Sequence, residues 1–275
     1  MKKTKPPRQK SKRTKSEGGA GAKVYIVGES PMVEEYAELC ATKGYSVQVQ
    51  WNQEPTRKPV FQSSHITCSS AIPTTSALAL ELTNTDLVRK RQNLDRLDRA
   101  LPSTAAILSS SVTVTATEQS GWIKQKHRLV GFGVLPTLVL KPLVEVAPTV
   151  FSPAETLNVV QRFFHSVGKE MALVQDRVGM VLPRILCQII NEAAFALQEE
   201  VASPQDIDTA MKLGTNHPFG PIEWADRIGM GQVNAVLTAL QNDLQEDRYR
   251  ISPLLRHMAQ TGEWWKRTTY FIRKD

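Results

Sequence analysis

Two side chains in this sequence are candidates for proton transfer, Glu145 and His127. Glu145 lies in the apolar run 143–146, and His127 comes just before a short apolar segment at 129–132. A carboxylate with an ordinary pKa of about 4.3 is a weak base at neutral pH. Glu145 is therefore either an acid–base group or a carboxylate held by local hydrogen bonds. His127 either reaches a cleft or lies on the surface.

Cysteine chemistry and metal binding are not indicated. The chain has three cysteines, Cys40, Cys68 and Cys187, which are scattered and form no C-x-x-C motif. An odd number of cysteines without a motif is typical of reduced thiols in a cytoplasmic protein. The sequence therefore predicts no metal site and a cytoplasmic location.

The first half of the sequence has the pattern of an α/β domain. Residues 23–27 predict a short strand, Gly28 a turn, residues 31–43 a helix and residues 47–51 a second strand. These lengths suit a right-handed parallel crossover. The further predicted elements are strands at 66–68, 77–82, 105–109, 129–132 and 142–146, and a charged helix at 86–101.

From residue 152 onward the pattern is helical. One apolar stripe recurs every four residues from Ile185 to Val201, and a second stripe lies beside it, which predicts a long helix buried on more than one side. We therefore expect a disordered basic tail at 1–22, an α/β domain at 23–148 and an all-α domain at 152–275.

The positive charge of the chain is confined to its beginning. The formal net charge is +7, and the first 17 residues contain eight Lys and Arg and one Glu, so the remainder is balanced. Such an arm is either a solubility segment or a weak tether to nucleic acid or another anionic surface. No run of 18 apolar residues is present, so no membrane span is predicted.

A series of short motifs in the second half resembles the C-terminal domain of the 3-hydroxyacyl-CoA dehydrogenases. They include Asp176, Val178-Gly179-Met180-Val181, Asn191-Glu192-Ala193, Asp206-Ile207-Asp208, His217-Pro218-Phe219-Gly220-Pro221, Ala225-Asp226 and Arg248-Tyr249-Arg250. Residues 23–49 are similar to the opening strand–turn–helix–strand of the same family, and residues 143–146 match its "LVEV". The resemblance implies a truncated Rossmann-like parallel sheet followed by an all-α C-terminal domain.

The resemblance also implies a reaction. In these enzymes a histidine takes the 3-hydroxyl proton while hydride leaves C3 for nicotinamide, and a glutamate orients the histidine. The family pattern places the base at Gly133 and the glutamate at Glu145. The two asparagines of the family fall on Pro136 and Pro183, and a family serine falls approximately on Thr113. Glu145 and Thr113 are thus the candidate catalytic residues, with the base position vacant.

NAD is the cofactor that the resemblance implies, with Gly28, Ser30 and Lys90 as candidate contacts. The glycine fingerprint G-x-G-x-x-G here has Gly28, Ser30 and Val33, although glycine is needed where the backbone approaches the pyrophosphate. Trp51 stands where the family has the acid that binds the ribose. These departures weaken the predicted NAD site.

Two hypotheses follow. In the first, the chain is a 3-hydroxyacyl-CoA dehydrogenase-like protein whose NAD-dependent oxidation of 3-hydroxyacyl-CoA is impaired or absent. In the second, it is a non-catalytic binding or subunit-partner protein. The resemblance implies acyl-CoA as a ligand and a homodimer formed through the helical domain, whereas nucleic acid would contact only the basic tail.

Overall fold

The computed structural model describes residues 21–55 and 59–262. The predicted disordered tail therefore lies outside the described residues, apart from its last two. The same holds for the end of the predicted helical domain from residue 263 onward.

The described residues form one sheet of eight strands in the order β3-β2-β1-β4-β5-β6-β7-β8. All neighbouring pairs are parallel except β6 and β7, which are antiparallel. The first six strands have the strand order of a dinucleotide-binding fold, so the predicted fold class is confirmed. The strands are β1 Lys23–Gly28, β2 Ser46–Trp51, β3 Ile66–Cys68, β4 Leu78–Leu82, β5 Ala106–Ser110, β6 Leu129–Phe132, β7 Leu143–Pro148 and β8 Glu170–Leu173.

Helices cover both faces of the sheet. One core joins the inner face of α1 and α4 to the sheet through Tyr36 and Phe164, and the opposite core joins α2 through Leu94 and Leu97. A third core surrounds the buried face of α5 in the helical part. The helices are α1 Met32–Thr42, α2 Leu87–Ala100, α3 Ala116–Ser120, α4 Ala154–Ser166, α5 Leu182–Gln198, α6 Pro204–Thr215, α7 Pro221–Ile228, α8 Met230–Leu244 and α9 Pro253–Thr261.

The sheet domain is truncated in the connections that join its second, third and fourth strands. Between β2 and β3, and between β3 and β4, the described residues contain no helix. Strand β3 has three residues and closes that edge of the sheet. The sheet thus keeps its strands, and the described residues of the connections from β2 to β4 form no helix.

The prediction of an entirely helical chain after residue 152 is wrong for β8. Glu170–Leu173 pairs in parallel with β7, and α4 packs its Phe163 and Phe164 against the sheet. The four residues of β8 show no strand alternation, and tertiary pairing rather than local preference makes them a strand. We propose that the boundary between the two parts lies after Leu173 rather than at 148–152.

The long helix α5 is buried on one side only within this chain. Leu186, Ile190 and Ala194 are buried, whereas Ile185 is 53% exposed. The helix ends at Gln198, so Val201 of the predicted stripe lies beyond it. The expectation of burial on more than one side is therefore wrong for the single chain. The face around Ile185 lines an apolar cavity and is partly open to solvent.

Candidate active and cofactor sites

The vacant base position lies directly beside the candidate catalytic carboxylate. Gly133 follows β6, and its N–H donates to the carbonyl oxygen of Glu145 on β7, with 2.9 Å between nitrogen and oxygen. A Cβ atom at residue 133 would lie 3.6 Å from Glu145 Oε2 and 3.3 Å from the Met180 sulfur. A side chain at this position would therefore face the carboxylate, as the resemblance implies.

Glu145 uses its carboxylate to hold the start of α5. Its two oxygens accept hydrogen bonds from the N–H groups of Val181 and Leu182, at 2.9 and 2.7 Å. These N–H groups belong to the first residues of the helix, which have no carbonyl partner within it. A negative charge there also interacts favourably with the helix dipole. The structure thus gives Glu145 a capping role that needs no reaction.

An apolar cavity of about 570 Å³ opens beside Gly133 and Glu145. Most of its lining is apolar, and Pro183 contributes to it where the family has an asparagine. Lys169 also lines the cavity, but its ammonium group donates to the carbonyl oxygens of Val139 and Lys141, and burial lowers its pKa. Glu145 is the carboxylate and His217 the imidazole of the described lining, which is otherwise mostly apolar apart from Lys141 and Lys169. The cavity therefore suits an apolar group, and residue 133 itself offers no imidazole.

Thr113 does not share this cavity. Its hydroxyl donates to the carbonyl oxygen of Asn84 at 2.9 Å, and the side chain is buried. It lines a different cleft, between the sheet and α8, together with Asn234 and Asp243. The other proton-transfer candidate, His127, is exposed, with Nε2 3.4 Å from the Ser103 carbonyl oxygen. Neither residue joins Glu145 in one site.

Gly28 is required by sheet packing. A Cβ atom at this residue would lie 2.6 Å from the backbone carbonyl carbon of Leu82, which is closer than any ordinary contact. Its φ of 154° is also a conformation that residues with side chains rarely adopt. The glycine that remains of the fingerprint therefore allows β1 and β4 to approach each other, whether or not a cofactor binds.

Ser30 and Trp51 both contact Glu34 of α1. Glu34 Oε1 accepts from the Ser30 hydroxyl at 2.8 Å and from the Trp51 indole N–H at 3.0 Å. The Trp51 ring also stacks on Phe61, with 6.2 Å between ring centroids. The two positions that the family uses for pyrophosphate and ribose are thus engaged with a carboxylate of the chain itself.

Glu29 is a site residue that the sequence analysis did not identify. Its Oε1 accepts from the backbone N–H and the hydroxyl of Thr85, at 2.9 and 2.7 Å, and its Oε2 accepts from Gln232 Nε2 at 2.7 Å. Gln232 lies on α8, so this carboxylate ties the loop after β1 to the helical part. The feature of the sequence that could have pointed to Glu29 is its place directly after Gly28, the glycine that ends the first strand.

The space next to Glu29 is acidic. This cleft of about 420 Å³ is lined by three carboxylates, those of Glu29, Glu54 and Asp86, and no Lys or Arg of the described residues lines it. A diphosphate placed there would be repelled by these carboxylates, and the donors it needs already bind Glu29. The described lining therefore does not fit the pyrophosphate of NAD.

The expectation that Lys90 contacts the cofactor needs correction. The side chain is completely buried, and its ammonium group lies 2.5 Å from Glu81 Oε2 and 2.8 Å from the Thr83 carbonyl oxygen. Glu81 is itself a buried residue of β4 that also accepts from Ser109 and Asn93. Lys90 is thus half of a core ion pair, with no surface left for a phosphate.

Neither a membrane span nor a metal cluster occurs in the described ranges. None of their helices is both long and apolar enough to cross a bilayer. No group of three His, Cys, Asp or Glu residues there is arranged to hold a metal ion.

Comparison with known proteins gives consistent matches over most of the chain. The family model described as 3-hydroxyacyl-CoA dehydrogenase, NAD binding domain, matches residues 50–177, and the model described as 3-hydroxyacyl-CoA dehydrogenase, C-terminal domain, matches residues 179–270. A probable 3-hydroxybutyryl-CoA dehydrogenase of Bacillus subtilis (strain 168) is 31% identical over 185 residues, which are 67% of this chain and 64% of the relative. The 3-hydroxybutyryl-CoA dehydrogenase of Bradyrhizobium diazoefficiens is 31% identical over 180 residues, 66% of this chain and 61% of the relative.

Solved structures agree with this match. The (S)-3-hydroxybutyryl-CoA dehydrogenase PaaH1 of Ralstonia eutropha superposes with a TM-score of 0.73 and 25% identity, covering 88% of this chain and 95% of that one. The chain spans just under two thirds of the length of the two curated relatives above. The NAD-binding family model begins at residue 50, so the loop that contains Gly28, Glu29 and Ser30 lies before its match.

Proposed function

Because the chain belongs to the 3-hydroxyacyl-CoA dehydrogenase family, we propose that it is a degenerate member whose dehydrogenation is impaired or absent. One observation carries the proposal. Gly133 occupies the position beside Glu145 that a histidine base would need, and the Glu145 carboxylate instead caps α5. Loss of a general base lowers the rate by about 10²–10⁴-fold.

The family residues that remain support this proposal, because they hold the fold together. Asp176 accepts from the first two N–H groups of α3, and Asp208 accepts from Ile222 and Glu223 at the start of α7. Asn191 of α5 contacts the backbone on both sides of Ile251. These capping and bridging roles are independent of turnover, so they persist in a chain that has lost its base.

NAD binding is the second part of the proposal. The chain has the family's NAD-binding domain. Around the place of a bound dinucleotide, however, it has two carboxylates, those of Glu29 and Glu34, and the indole of Trp51. We expect NAD to bind weakly or not at all. Acyl-CoA remains the ligand that the family suggests, and the apolar cavity beside Gly133 would accept its acyl group.

Binding and turnover are to be measured separately. NADH fluorescence titration is expected to show no saturation in the micromolar range, and oxidation of 3-hydroxyacyl-CoA thioesters with NAD is expected to stay at the buffer rate. Gly133→Ala serves as the matched control for Gly133→His, because both add a Cβ and only the histidine adds a base. Micromolar NADH binding, or wild-type turnover above that of Gly133→Ala, would contradict the proposal.

A role as a subunit partner is the second candidate function. The face of α5 that lies beside the cavity presents Leu182 and Ile185 to solvent, at 44% and 53% exposure, and Leu213 of α6 is 82% exposed. An apolar face of this kind is typical of an interface. We propose that it forms a homodimer contact through the helical part, as the family resemblance implies.

Sedimentation velocity tests the dimer. Ile185→Glu should convert a dimer to a monomer because it places a charge in the contact, whereas Asn242→Glu on an exposed face of α8 should leave the dimer intact. A wild-type chain that is monomeric at tens of micromolar would refute this second candidate. The predicted cytoplasmic location stays a prediction, as does contact of the basic tail with nucleic acid.

A further inference from the structure

A second large cavity lies at the opposite end of the sheet from Gly133. It has a volume of about 740 Å³ and lies where β1 and β4 begin, beside α4. We call it the basal groove and define it by six of its lining residues, Lys23, Tyr45, Leu78, Arg162, Phe163 and His165. The active-site analogue lies at the carboxyl ends of the strands, so the two cavities are separate.

The floor of the basal groove is apolar and has its polar groups satisfied. Tyr45, Leu78 and Phe163 are buried, and the rings of Tyr45 and Phe163 meet edge to face with 5.8 Å between centroids. The Tyr45 hydroxyl lies 2.6 Å from the Ser166 hydroxyl, which donates to the Phe163 carbonyl oxygen. An apolar body can therefore cover this floor without leaving a buried donor or acceptor unpaired.

The rim of the groove is cationic. Lys23, Arg162 and His165 are exposed, as are the neutral Asn158 and Gln161, and no Asp or Glu of the described residues contributes to the lining. Within the described part of the chain, neither Lys23 nor Arg162 forms a salt bridge. Arg162 and His165 lie three residues apart on α4 and so project from the same side of that helix. A guanidinium group in this position is free to bind an anion in a bidentate manner.

We propose that the basal groove binds an amphipathic anion. The apolar body of the ligand lies on the Tyr45–Phe163 floor, and its carboxylate or phosphate group pairs with Arg162 and Lys23. Charge complementarity favours this ligand class over a neutral apolar molecule, because Lys23 and Arg162 are the charged side chains of the described lining. The buried floor is mainly carbon, and its Tyr45 and Ser166 hydroxyls are paired with each other. The inference does not rest on the loss of dehydrogenase activity.

Calorimetric titration with octyl phosphate, octanoate and octanol tests the proposal on the full chain. We expect the two anions to bind. Octanol has the same apolar body and should bind at least about tenfold more weakly, because that ratio of affinities corresponds to the free energy of one charge-assisted hydrogen bond. Arg162→Glu should weaken octyl phosphate by about tenfold or more. Arg89→Glu is the matched control, because Arg89 is an exposed cation of α2 outside the groove.

Three results would overturn the proposal. Equal affinity for octanol would show that the anion is not recognised. Equal weakening by Arg89→Glu and Arg162→Glu would show attraction to the overall charge alone. Loss of binding in Ile185→Trp, which obstructs the cavity beside Gly133, together with retained binding in Arg162→Glu, would place the ligand in the other cavity.

Discussion

The contact between Glu29 and Gln232 gives a quantitative test of how the two parts of the chain are held together. Gln232 donates to Glu29 Oε2 at 2.7 Å, and its own Oε1 accepts from Asn84 Nδ2 at 2.8 Å. The amide of Gln232 therefore cannot rotate without losing the bond to Asn84. This fixed orientation makes the result of a substitution at residue 29 calculable.

Glu29→Gln should destabilise the protein. If the new amide keeps its oxygen toward Thr85, its NH₂ group faces the NH₂ group of Gln232, and two donors oppose each other. One hydrogen bond to a charged acceptor is lost, which is worth about 1.5–3 kcal/mol. Because Glu29 is partly exposed, a water molecule can replace part of the lost hydrogen bond. We therefore expect the free energy of unfolding to fall by about 1–2 kcal/mol.

The reciprocal change should restore stability. Gln232→Glu alone places two carboxylates in contact and destabilises the fold. In the double variant Glu29→Gln/Gln232→Glu, the carboxylate at 232 accepts from both residue 29 and Asn84. We expect a coupling free energy of about 2 kcal/mol in the double-mutant cycle, measured by urea unfolding with circular dichroism.

Glu34→Gln provides the control cycle. Glu34 belongs to the same turn region but contacts Ser30 and Trp51 within the sheet domain, so its effect should add to that of Gln232→Glu. Coupling below about 0.5 kcal/mol between residues 29 and 232 is ordinary additivity. That outcome would refute the inference that this carboxylate bridges the cleft.

Three further predictions concern single sites. Gly28→Ala should cost about 1–3 kcal/mol of stability in buffer without any nucleotide, because its Cβ would clash with the backbone of β4; a neutral effect would contradict the packing role. Lys90→Met should cost about 3–5 kcal/mol by leaving a buried carboxylate unpaired, and the double variant Glu81→Leu/Lys90→Met should be less destabilised than this single variant in thermal unfolding. Burial raises the pKa of Glu35, so the native state binds its proton more readily than the unfolded state, and the contribution of this group to stability falls as the pH rises through the native pKa. Glu35→Gln should thus be at least as stable as the parent at pH 7 and lose any advantage below about pH 4; an advantage confined to low pH would show that the sign is wrong.

The order of the strands and helices followed from the sequence to a large extent. The predicted strands from 23–27 to 142–146 are present as β1 to β7, with ends that differ by at most two residues. Apolar periodicity and glycine turns locate these elements because each must bury one face or both. Strand β8 was not predicted, since Glu170–Leu173 contains helix-favouring residues and becomes a strand only through its pairing with β7.

The site was less predictable because its contacts join distant parts of the chain. The family pattern relates residue 133 to Glu145, and in the structure the Gly133 N–H donates to the Glu145 carbonyl oxygen although twelve residues separate the two. Glu29 has partners 56 and 203 residues away, and no local motif indicates them. Lys90 was expected in a cofactor site. The sequence feature that indicated otherwise is Glu81, an acidic residue within an apolar strand, because a buried carboxylate needs a cation as its partner.

The cap that Glu145 forms on α5 makes the fold of this chain depend more on this carboxylate than on the side chain at residue 133. Replacement of a histidine at position 133 by glycine leaves the backbone bond to Glu145 and the sheet intact. Replacement of Glu145 would instead expose the first N–H groups of the helix that organises the whole C-terminal half. Folding alone would therefore retain the glutamate in a chain without a base at residue 133, so a glutamate at this position is by itself no sign of a working enzyme.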